Sequence, residues 1–375
     1  MTTDTAKDAI ARLLSTAGVA IDGGKPWDIR VHDERLYARA LSGGSLAFGE
    51  SYMDGWWDSG AVDELTRRLL AAGLEQKVRG MKSVLWLALR AKLTNMQAER
   101  RAYNIGEKHY DLGNDLYEAM LDKRLNYSCA YWKDARDLDE AQEAKLELCC
   151  RKLGLQPGMS VLDIGCGWGG FAKYAAERYG AKVTGITVSK EQVALAREMC
   201  RGLPVTIDLE DYRSLRGRYD RVLSVGMIEH VGCKNYRTYA EIVARVLADD
   251  GLFLLQTIGN NRSCRSGEPW MDKYIFPDGM VPSPDHLTRA AEGLFILEDW
   301  HNFGPDYDRT LLSWKDNFDA NWDRLSRNPK YDERFRRMWT YYLLTCAGSF
   351  RARKNQLWQI VFSKRGVPGG YRSVR

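Results

Sequence analysis

The chain has 375 residues, 45% hydrophobic and 28% charged, with a formal net charge of +5. This composition excludes disordered and collagen-like proteins, and the length accommodates one large domain with a smaller one. The mild positive charge suits an anionic membrane surface. Because no dense block of basic residues occurs, we expect no nucleic-acid partner.

The N-terminal hundred residues predict a small α+β domain. An amphipathic helix is predicted over 5–17, followed by strand-like segments at 27–31, 36–41 and 45–52 between glycine pairs. Helical patterns run from Val62 to about residue 101. The first residues are polar and lack the apolar core of a secretory signal. The sequence contains no CxxC pair, the pattern that would indicate a metal site. We therefore expect a reduced, cytoplasmic protein without a bound metal.

From about residue 101 the pattern changes to alternating strands and helices. A helix over 138–153 precedes strands predicted at 160–164, 182–187, 205–208, 219–225 and 252–258, with two more near 295–301 and 357–363. A long helix over 331–353 separates the last two strands. This alternation predicts an α/β fold with a doubly wound parallel sheet in residues 101–375, so residues 1–100 form the smaller domain.

The strongest local motif follows the first of these strands. The string DIGCGWGG begins at Asp163, and its glycines let the backbone approach a ligand closely. Gly165, Gly167 and Gly170 also satisfy the dinucleotide pattern GxGxxG, but Thr187 stands near the position where such a site needs an acidic residue. The order D-x-G-x-G-x-G is that of class I S-adenosylmethionine-dependent methyltransferases. A glycine turn without a ligand remains the alternative.

Polar groups follow the next strands as well, where an open α/β sheet binds its ligand. Thr187 and Gln192 offer a hydroxyl and an amide to a ribose, and Asp211 offers a carboxylate to an adenine amino group. Residues 224–230 end the fourth strand, facing the transferred methyl group. The predicted S-adenosylmethionine site comprises Asp163, Gly165, Gly167, Gly169, Thr187, Gln192, Glu210 and Asp211.

Four longer strings narrow the family. They are HYDLGN at 109–114, YSCAYW at 127–132, GMIEHVG at 226–232 and DWHNFGPDY at 299–307. Together they closely resemble bacterial cyclopropane-fatty-acyl-phospholipid synthases and the related mycolic acid cyclopropane synthases. The resemblance implies a class I methyltransferase fold and transfer of a methylene group from S-adenosylmethionine to the cis double bond of an unsaturated phospholipid acyl chain. The ring closes through a carbocation that bound bicarbonate deprotonates.

The resemblance also implies individual roles. Glu229 accepts the bicarbonate hydroxyl and Tyr307 donates to an oxygen, while Cys129 and Ile258 contribute backbone groups. Each has a structural alternative, such as a buried cysteine, a helix-start carboxylate or a packed tyrosine. The residues implied in this way are Cys129, Glu229, Ile258 and Tyr307 at the bicarbonate site, and Tyr127 and Ser128 beside the cofactor.

One position departs from the family pattern. The family string Leu-Leu-His-Thr-Ile-Gly is here LLQTIG, with Gln256 in place of the histidine. An amide can donate a hydrogen bond to bicarbonate, but it cannot relay a proton. We therefore expect an active enzyme with a base site that depends less on protonation. His230 and His301 are candidates for the lost histidine, although each is equally compatible with a structural role.

A membrane surface is the expected partner, because the substrate double bond lies within a bilayer. The segment 81–92 joins apolar residues to basic flanks and suits either a helix on an anionic membrane or a core helix of the small domain. We expect a protein peripheral to the inner face of the cytoplasmic membrane. The resemblance also implies a homodimer.

Three other functions remain open. An enzyme of the same family could produce a methylene- or methyl-branched chain through the same cation. Gln256 is compatible with this alternative, because it changes the residue at the base site. Methylation of a small polar metabolite would not require the first hundred residues. A lipid-binding protein without turnover is disfavoured because Asp163 and Glu229 are both present.

Overall fold

The computed structural model describes residues 3–74, 113–264 and 267–375. The chain divides into two compact units. The first comprises Met1–Thr94, Ser266–Pro277 and Tyr307–Asn355, and the second comprises Asn95–Arg265, Asp278–Asp306 and Gln356–Arg375. The first unit is thus larger than the N-terminal hundred residues, because two later segments belong to it. The predicted boundary near residue 100 and the segment 81–92 both lie outside the described residues.

The helices of the described chain are α1 Thr3–Ser15, α2 Arg35–Met53, α3 Val62–Ala71, α4 Asn114–Met120, α5 Leu138–Lys152, α6 Gly170–Tyr179, α7 Lys190–Met199, α8 Tyr236–Val246, α9 Pro269–Tyr274, α10 Pro284–Ala291, α11 Pro305–Ala320, α12 Trp322–Leu325 and α13 Glu333–Arg351. The strands are β1 Arg30–Val31, β2 Trp57–Asp58, β3 Ser160–Ile164, β4 Lys182–Thr187, β5 Val205–Leu209, β6 Tyr219–Val225, β7 Leu247–Asn260, β8 Ile296–Asn302 and β9 Asn355–Ser363. Every strand predicted from residue 160 onward is confirmed. Within the described residues, no helix is both long and apolar enough to span a bilayer.

The strands predicted at 36–41 and 45–52 are wrong, because both segments belong to α2. Leu36, Tyr37 and Ala40 are all buried on this helix. Adjacent residues such as 36 and 37 would point to opposite faces of a strand, so this pattern suits a helix better than a half-buried strand. Gly44, with a φ of 60°, bends the helix without ending it. The glycines therefore mark a kink, where the sequence suggested a turn between strands.

The first unit has an aromatic core. In the part of this unit that the structure describes, β1 and β2 pair antiparallel over two residues each. Trp57 on β2 is fully buried, stacks on Phe48 with ring centroids 4.3 Å apart, and donates its indole N–H to the Phe48 carbonyl. The strand predicted at 27–31 is reduced to β1 alone.

The second unit contains a seven-stranded sheet in the order β5-β4-β3-β6-β7-β9-β8. The neighbours from β5 to β7 are all parallel, whereas β8 pairs antiparallel with β9. The predicted doubly wound α/β sheet is confirmed. Strand order reverses between β3 and β6, and ligands bind at the carboxyl ends of strands beside such a reversal.

Both faces of this sheet are covered, which leaves its ends as the places for a site. Val161 and Leu254 pack into one apolar cluster, together with side chains of α5, α6 and α7. Their neighbours Leu162 and Phe253 pack into a second cluster that includes residues of α8 and α10. Adjacent residues of a strand point to opposite faces, so this alternation places one core on each side.

Close packing near the end of β7 generates the first prediction. A Cβ added at Gly259 would lie 2.2 Å from the ring of Trp358 on β9, and a buried indole cannot move away easily. We expect Gly259→Ala to lower the free energy of unfolding by about 1–3 kcal/mol. Gly24→Ala is the control, since its new Cβ meets no atom within 4 Å. Chemical denaturation measures both, and equal effects of the two substitutions would contradict the packing.

Candidate active site

A cavity opens at the carboxyl ends of β3, β4, β5 and β6, beside the reversal of strand order. The loops that follow these four strands form much of its wall. Nine of the ten residues predicted to bind the cofactor line this cavity, namely Tyr127, Ser128, Asp163, Gly165, Gly167, Thr187, Gln192, Glu210 and Asp211. The fold therefore brings together side chains that are up to 84 residues apart in the chain, from 127 to 211.

The glycines of the loop after β3 have different surroundings. Gly167 has a φ of 55°, and a Cβ there would meet no atom within 4 Å, so the backbone is accessible to a ligand. A Cβ at Gly165 would lie 2.8 Å from the Met227 side chain. Gly169 does not line the cavity. Its added Cβ would lie 3.2 Å from the sulfur of Cys200, so this glycine allows close packing against the end of α7.

The centre of the cavity wall carries a buried carboxyl group. Asp163 is 2% exposed, and burial raises its pKa to about 7, although the positive charge of Lys145 partly opposes this shift. Lys145 is also 2% exposed, and burial lowers the pKa of its amine. Two ionisable groups of opposite sign thus face a cavity of low polarity, where each responds strongly to a bound charge.

Helix α5 supplies polar groups that the sequence analysis missed. Lys145 donates to Asn126 Oδ1 at 3.2 Å and to Ser128 Oγ at 3.0 Å. Gln142 donates to the carbonyls of Asn126 and Ser128 at 3.2 and 2.8 Å. These contacts hold the segment 126–128 in the cavity wall. A signal was present, because Gln142, Lys145 and Cys149 recur at helical spacing on the buried side of α5.

Three further cofactor candidates are already paired with each other or with a neighbour. Thr187 donates to the Gln192 side-chain carbonyl at 2.7 Å, which holds both groups at the end of β4. Asp211 forms a salt bridge with Arg213 at 2.9 Å. Arg213 also lines the cavity and was not predicted.

A second polar cluster lies at the end of β7. Glu229 accepts a hydrogen bond from the Ile258 backbone N–H at 2.7 Å, and its other oxygen is buried without a hydrogen-bond partner in the described chain. Burial raises the pKa of Glu229 to about 7, against the lowering effect of the Ile258 hydrogen bond. Gln256, two residues before Ile258, places its Nε2 3.5 Å from the Cys129 carbonyl. Four of the five predicted catalytic residues are therefore connected through one strand.

Tyr307 belongs to the first unit. There its ring packs against Trp314 and Phe350, with centroid distances of 5.9 and 4.6 Å. Its role beside the anion remains a prediction. The family strings do meet within the second unit, since Asp306 accepts a hydrogen bond from the Trp132 backbone at 2.7 Å.

The string HYDLGN also reaches the cofactor loop. Its residues 109–112 lie outside the described residues, but Asn114 accepts a hydrogen bond from the Trp168 indole at 3.1 Å. Trp168 also lies 4.8 Å from Tyr117, centroid to centroid. This string therefore helps to position the glycine-rich loop.

The two histidines considered as replacements are poor bases in their present surroundings. His230 lines the cavity, and burial lowers its pKa to about 4. Burial also lowers the pKa of His301 to about 4, and its ring nitrogen lies 3.2 Å from the buried amine of Lys152. Both rings are neutral near pH 7, so neither accepts a proton readily there.

Comparison with known proteins agrees with the geometry. Residues 97–360 match the family described as mycolic acid cyclopropane synthetase. The chain belongs to this family. It is 53% identical to the cyclopropane-fatty-acyl-phospholipid synthase of Escherichia coli K12, over 97% of this chain and 94% of that protein. It is 34% identical to the tuberculostearic acid methyltransferase UfaA1 of Mycobacterium tuberculosis, over 95% and 88% of the two chains.

Among solved structures, the mycolic acid cyclopropane synthase CmaA1 complexed with SAH and CTAB aligns with a TM-score of 0.63 and 31% identity. The alignment covers 70% of this chain and 98% of that one. The predicted class I methyltransferase fold is confirmed. The protein is an enzyme, an S-adenosylmethionine-dependent methyltransferase of the cyclopropane-fatty-acyl-phospholipid synthase type.

The burial of Asp163 generates a prediction about stability. Its pKa is about 7 in the folded protein against 3.8 for an exposed aspartate, so the folded state retains a proton that the unfolded chain releases. The free energy of unfolding therefore falls as pH rises from about 4 to about 7. Asparagine does not ionise, so Asp163→Asn does not undergo this loss. We expect the free energy of unfolding of the variant, minus that of the natural protein, to be about 2 kcal/mol larger at pH 8 than at pH 5.

Chemical denaturation of the ligand-free protein at the two pH values measures this difference. Asp134→Asn is the control, because it removes a carboxyl group at an exposed position. A pH-independent difference for Asp163→Asn would contradict the shifted ionisation.

Proposed function

We propose that this protein transfers a methylene group from S-adenosylmethionine to the cis double bond of an unsaturated phospholipid acyl chain, forming a cyclopropane ring. The observation that carries the proposal is the 53% identity to the Escherichia coli synthase over nearly the whole of both chains. The site supports the proposal, because the cofactor cavity and the buried Glu229 at the end of β7 occur in the same unit.

The cavity fits S-adenosylmethionine in its donor and acceptor groups. We propose that Asp163 with Tyr127 and Ser128 holds the methionine end, that Thr187 and Gln192 hold the ribose, and that Glu210 and Asp211 hold the adenosine at the end of β5. The open backbone at Gly167 permits close approach of the ligand. When bound, S-adenosylmethionine supplies an electrophilic methyl group on a sulfonium. SAH in the related CmaA1 structure supports this assignment.

We propose that the cluster at the end of β7 binds bicarbonate. The buried, unpartnered oxygen of Glu229 is an acceptor without a donor, which a hydroxyl of bicarbonate supplies. The carboxamide of Gln256 offers N–H groups to the oxygens of the anion. Cys129 and Ile258 complete the proposed site within the second unit, and a role for Tyr307 is proposed from the family resemblance alone. When bound, bicarbonate supplies the base that the ring-closing step requires.

The residues around the site protect a reactive cation from water. An alkene is a weak nucleophile, so the acyl chain must be held against the methyl group in a dry environment. Tyr127 lines the cavity, and its ring lies 5.2 Å from that of Tyr117, which in turn packs near Trp168. Aromatic faces stabilise a cation without reacting with it, by about 0.5–2 kcal/mol each.

The substrate implies a membrane surface, and we propose a cytoplasmic enzyme that is peripheral to the inner face of the cytoplasmic membrane. The net charge of +5 supports binding to anionic lipids. We assign lipid docking or dimer packing to the N-terminal hundred residues. The homodimer rests on the family resemblance, and sedimentation of the purified protein tests it.

Product analysis tests the proposed reaction. We expect purified protein, incubated with S-adenosylmethionine and unsaturated phospholipid vesicles, to yield acyl chains one CH₂ heavier that resist oxidative cleavage of double bonds. Mass spectrometry measures both properties. We expect Glu229→Gln to bind S-adenosylmethionine normally but to lose at least about 100-fold in rate, because a neutral carboxamide accepts the bicarbonate hydroxyl more weakly than a carboxylate and cannot take up a proton.

Other products would support other functions. Heavier chains that still cleave would indicate a methylene-branching enzyme, and heavier chains that are saturated and branched would indicate a methyl-branching enzyme, as the similarity to the tuberculostearic acid methyltransferase allows. An unchanged lipid despite intact cofactor binding would contradict a phospholipid substrate.

The pH dependence of the rate tests the role of Gln256. A carboxamide does not titrate, so we expect the natural enzyme to lack an ionisation from this position. Gln256→His introduces a group that ionises near pH 6.5 when unperturbed. The pH–rate profile of the variant should therefore gain an inflection that the natural enzyme lacks. Superimposable profiles would show that the identity of residue 256 does not affect the base site.

A further inference from the structure

A second buried glutamine stands beside Gln256. Gln359 lies on β9, which neighbours β7 in the sheet, and the two side chains are 0% and 1% exposed. Leu254 and Val361, two residues away on each strand, pack into the cluster beneath α5, so both glutamines face that side. Apolar side chains are expected at such positions. Buried carboxamides cost free energy unless they are hydrogen-bonded, so the pair calls for a polar explanation.

The hydrogen bonds determine the orientation of both amides. Gln359 Nε2 donates to Gln256 Oε1 at 2.8 Å, and Gln256 Nε2 faces the Cys129 carbonyl at 3.5 Å. A backbone carbonyl can only accept, so Gln256 must turn its NH₂ group toward Cys129. Its oxygen then faces β9, where a donor is required. Reversing Gln256 would place oxygen against oxygen at Cys129 and NH₂ against NH₂ at Gln359.

Gln359 is suited to this task by its own contacts. Its Nε2 also donates to the sulfur of Cys149 at 3.3 Å, so both amide hydrogens are used. Its oxygen is buried without a hydrogen-bond partner among the described residues. A glutamine that served only to fill the core would be expected to satisfy its acceptor as well as its donors. Here the donor end is matched and the acceptor end is not.

We infer that Gln359 is a positioning residue for the anion site, holding the carboxamide of Gln256 with its NH₂ group directed toward Cys129. The inference rests on the proposed function, since it takes the bicarbonate site as given. The contact of Gln256 Nε2 with the Cys129 carbonyl is long, which leaves donor capacity for an anion. Gln359 therefore sets the affinity for bicarbonate without touching it.

Steady-state kinetics in buffers depleted of carbon dioxide, with bicarbonate added back, test this role. Gln359→Leu removes the donor at similar volume and frees Gln256 to rotate. We expect the KM for bicarbonate to rise about tenfold, the effect of one misdirected hydrogen bond. The kcat at saturating bicarbonate should change by less than about threefold, because the anion, once bound, restores the orientation.

A double substitution shows whether Gln359 acts through Gln256. We expect Gln256→Leu to raise the KM for bicarbonate, and addition of Gln359→Leu to that variant to raise it no further. Gln356→Leu is the matched control on the same strand. Gln356 is also buried and accepts a hydrogen bond from Asn302 at 3.1 Å, so its loss should lower stability without changing the KM for bicarbonate.

The outcomes separate the inference from the proposed function. A raised KM in Gln256→Leu with an unchanged KM in Gln359→Leu overturns the positioning role alone, as do additive effects in the double variant. An unchanged KM in Gln256→Leu shows that Gln256 does not bind the anion and overturns the inference, whereas a natural enzyme whose rate does not depend on bicarbonate overturns the proposed anion site. If Gln359→Leu does not fold, Gln359→Met replaces it. A thioether cannot donate a hydrogen bond to Gln256, so the KM should rise by a similar factor.

Discussion

The burial of charge at the carboxyl ends of the sheet is the constraint on which the site depends. Asp163 and Lys145 both face the cavity with 2% of their surface exposed, and burial shifts each pKa toward the neutral form. Such groups are costly in the absence of a ligand. A cationic ligand such as a sulfonium favours the ionised form of Asp163, so the cost of burial becomes a source of binding energy.

The segment 126–129 connects the two halves of the chemistry. Lys145 and Gln142 on α5 hold Ser128 in the wall of the cofactor cavity. The next residue, Cys129, presents its carbonyl to Gln256 at the anion cluster. One short segment therefore positions groups in both places, and a shift of α5 would disturb both. In the reaction that we propose, the methyl donor and the base act on the same acyl chain, and this coupling of the two positions suits that requirement.

The proposed base site includes groups that do not change charge near neutral pH. Burial keeps His230, the neighbour of Glu229 in the chain, neutral near pH 7, and position 256 carries a carboxamide. The pKa of Glu229 is raised to about 7, so this carboxyl can share a proton with the bicarbonate that we propose. Proton exchange would then be confined to that anion and its immediate acceptor.

The sequence by itself determined the sheet and the cofactor loop. Apolar β-branched segments that alternate with helices predicted β3 to β9, and the spacing of Asp163, Gly165 and Gly167 predicted the cavity, because these patterns are local. The local pattern gave a wrong prediction at α2. Its glycines suggested a turn between two strands, whereas in the structure they lie at a kink in one helix. The local pattern also did not indicate that a Cβ at Gly169 would lie close to the sulfur of Cys200.

Only the tertiary structure decided which buried polar groups meet. Lys145 and Gln142 occupy the inner side of a helix, and Gln359 lies 103 residues from Gln256, so nothing in their local sequence indicates their partners. A hydrogen bond between distant segments depends on strand order and register, which pair β7 with β9 and bring α5 over the same face. The sequence determines which donors and acceptors each residue carries. The direction in which an amide or amine points depends on neighbours that only the fold brings close.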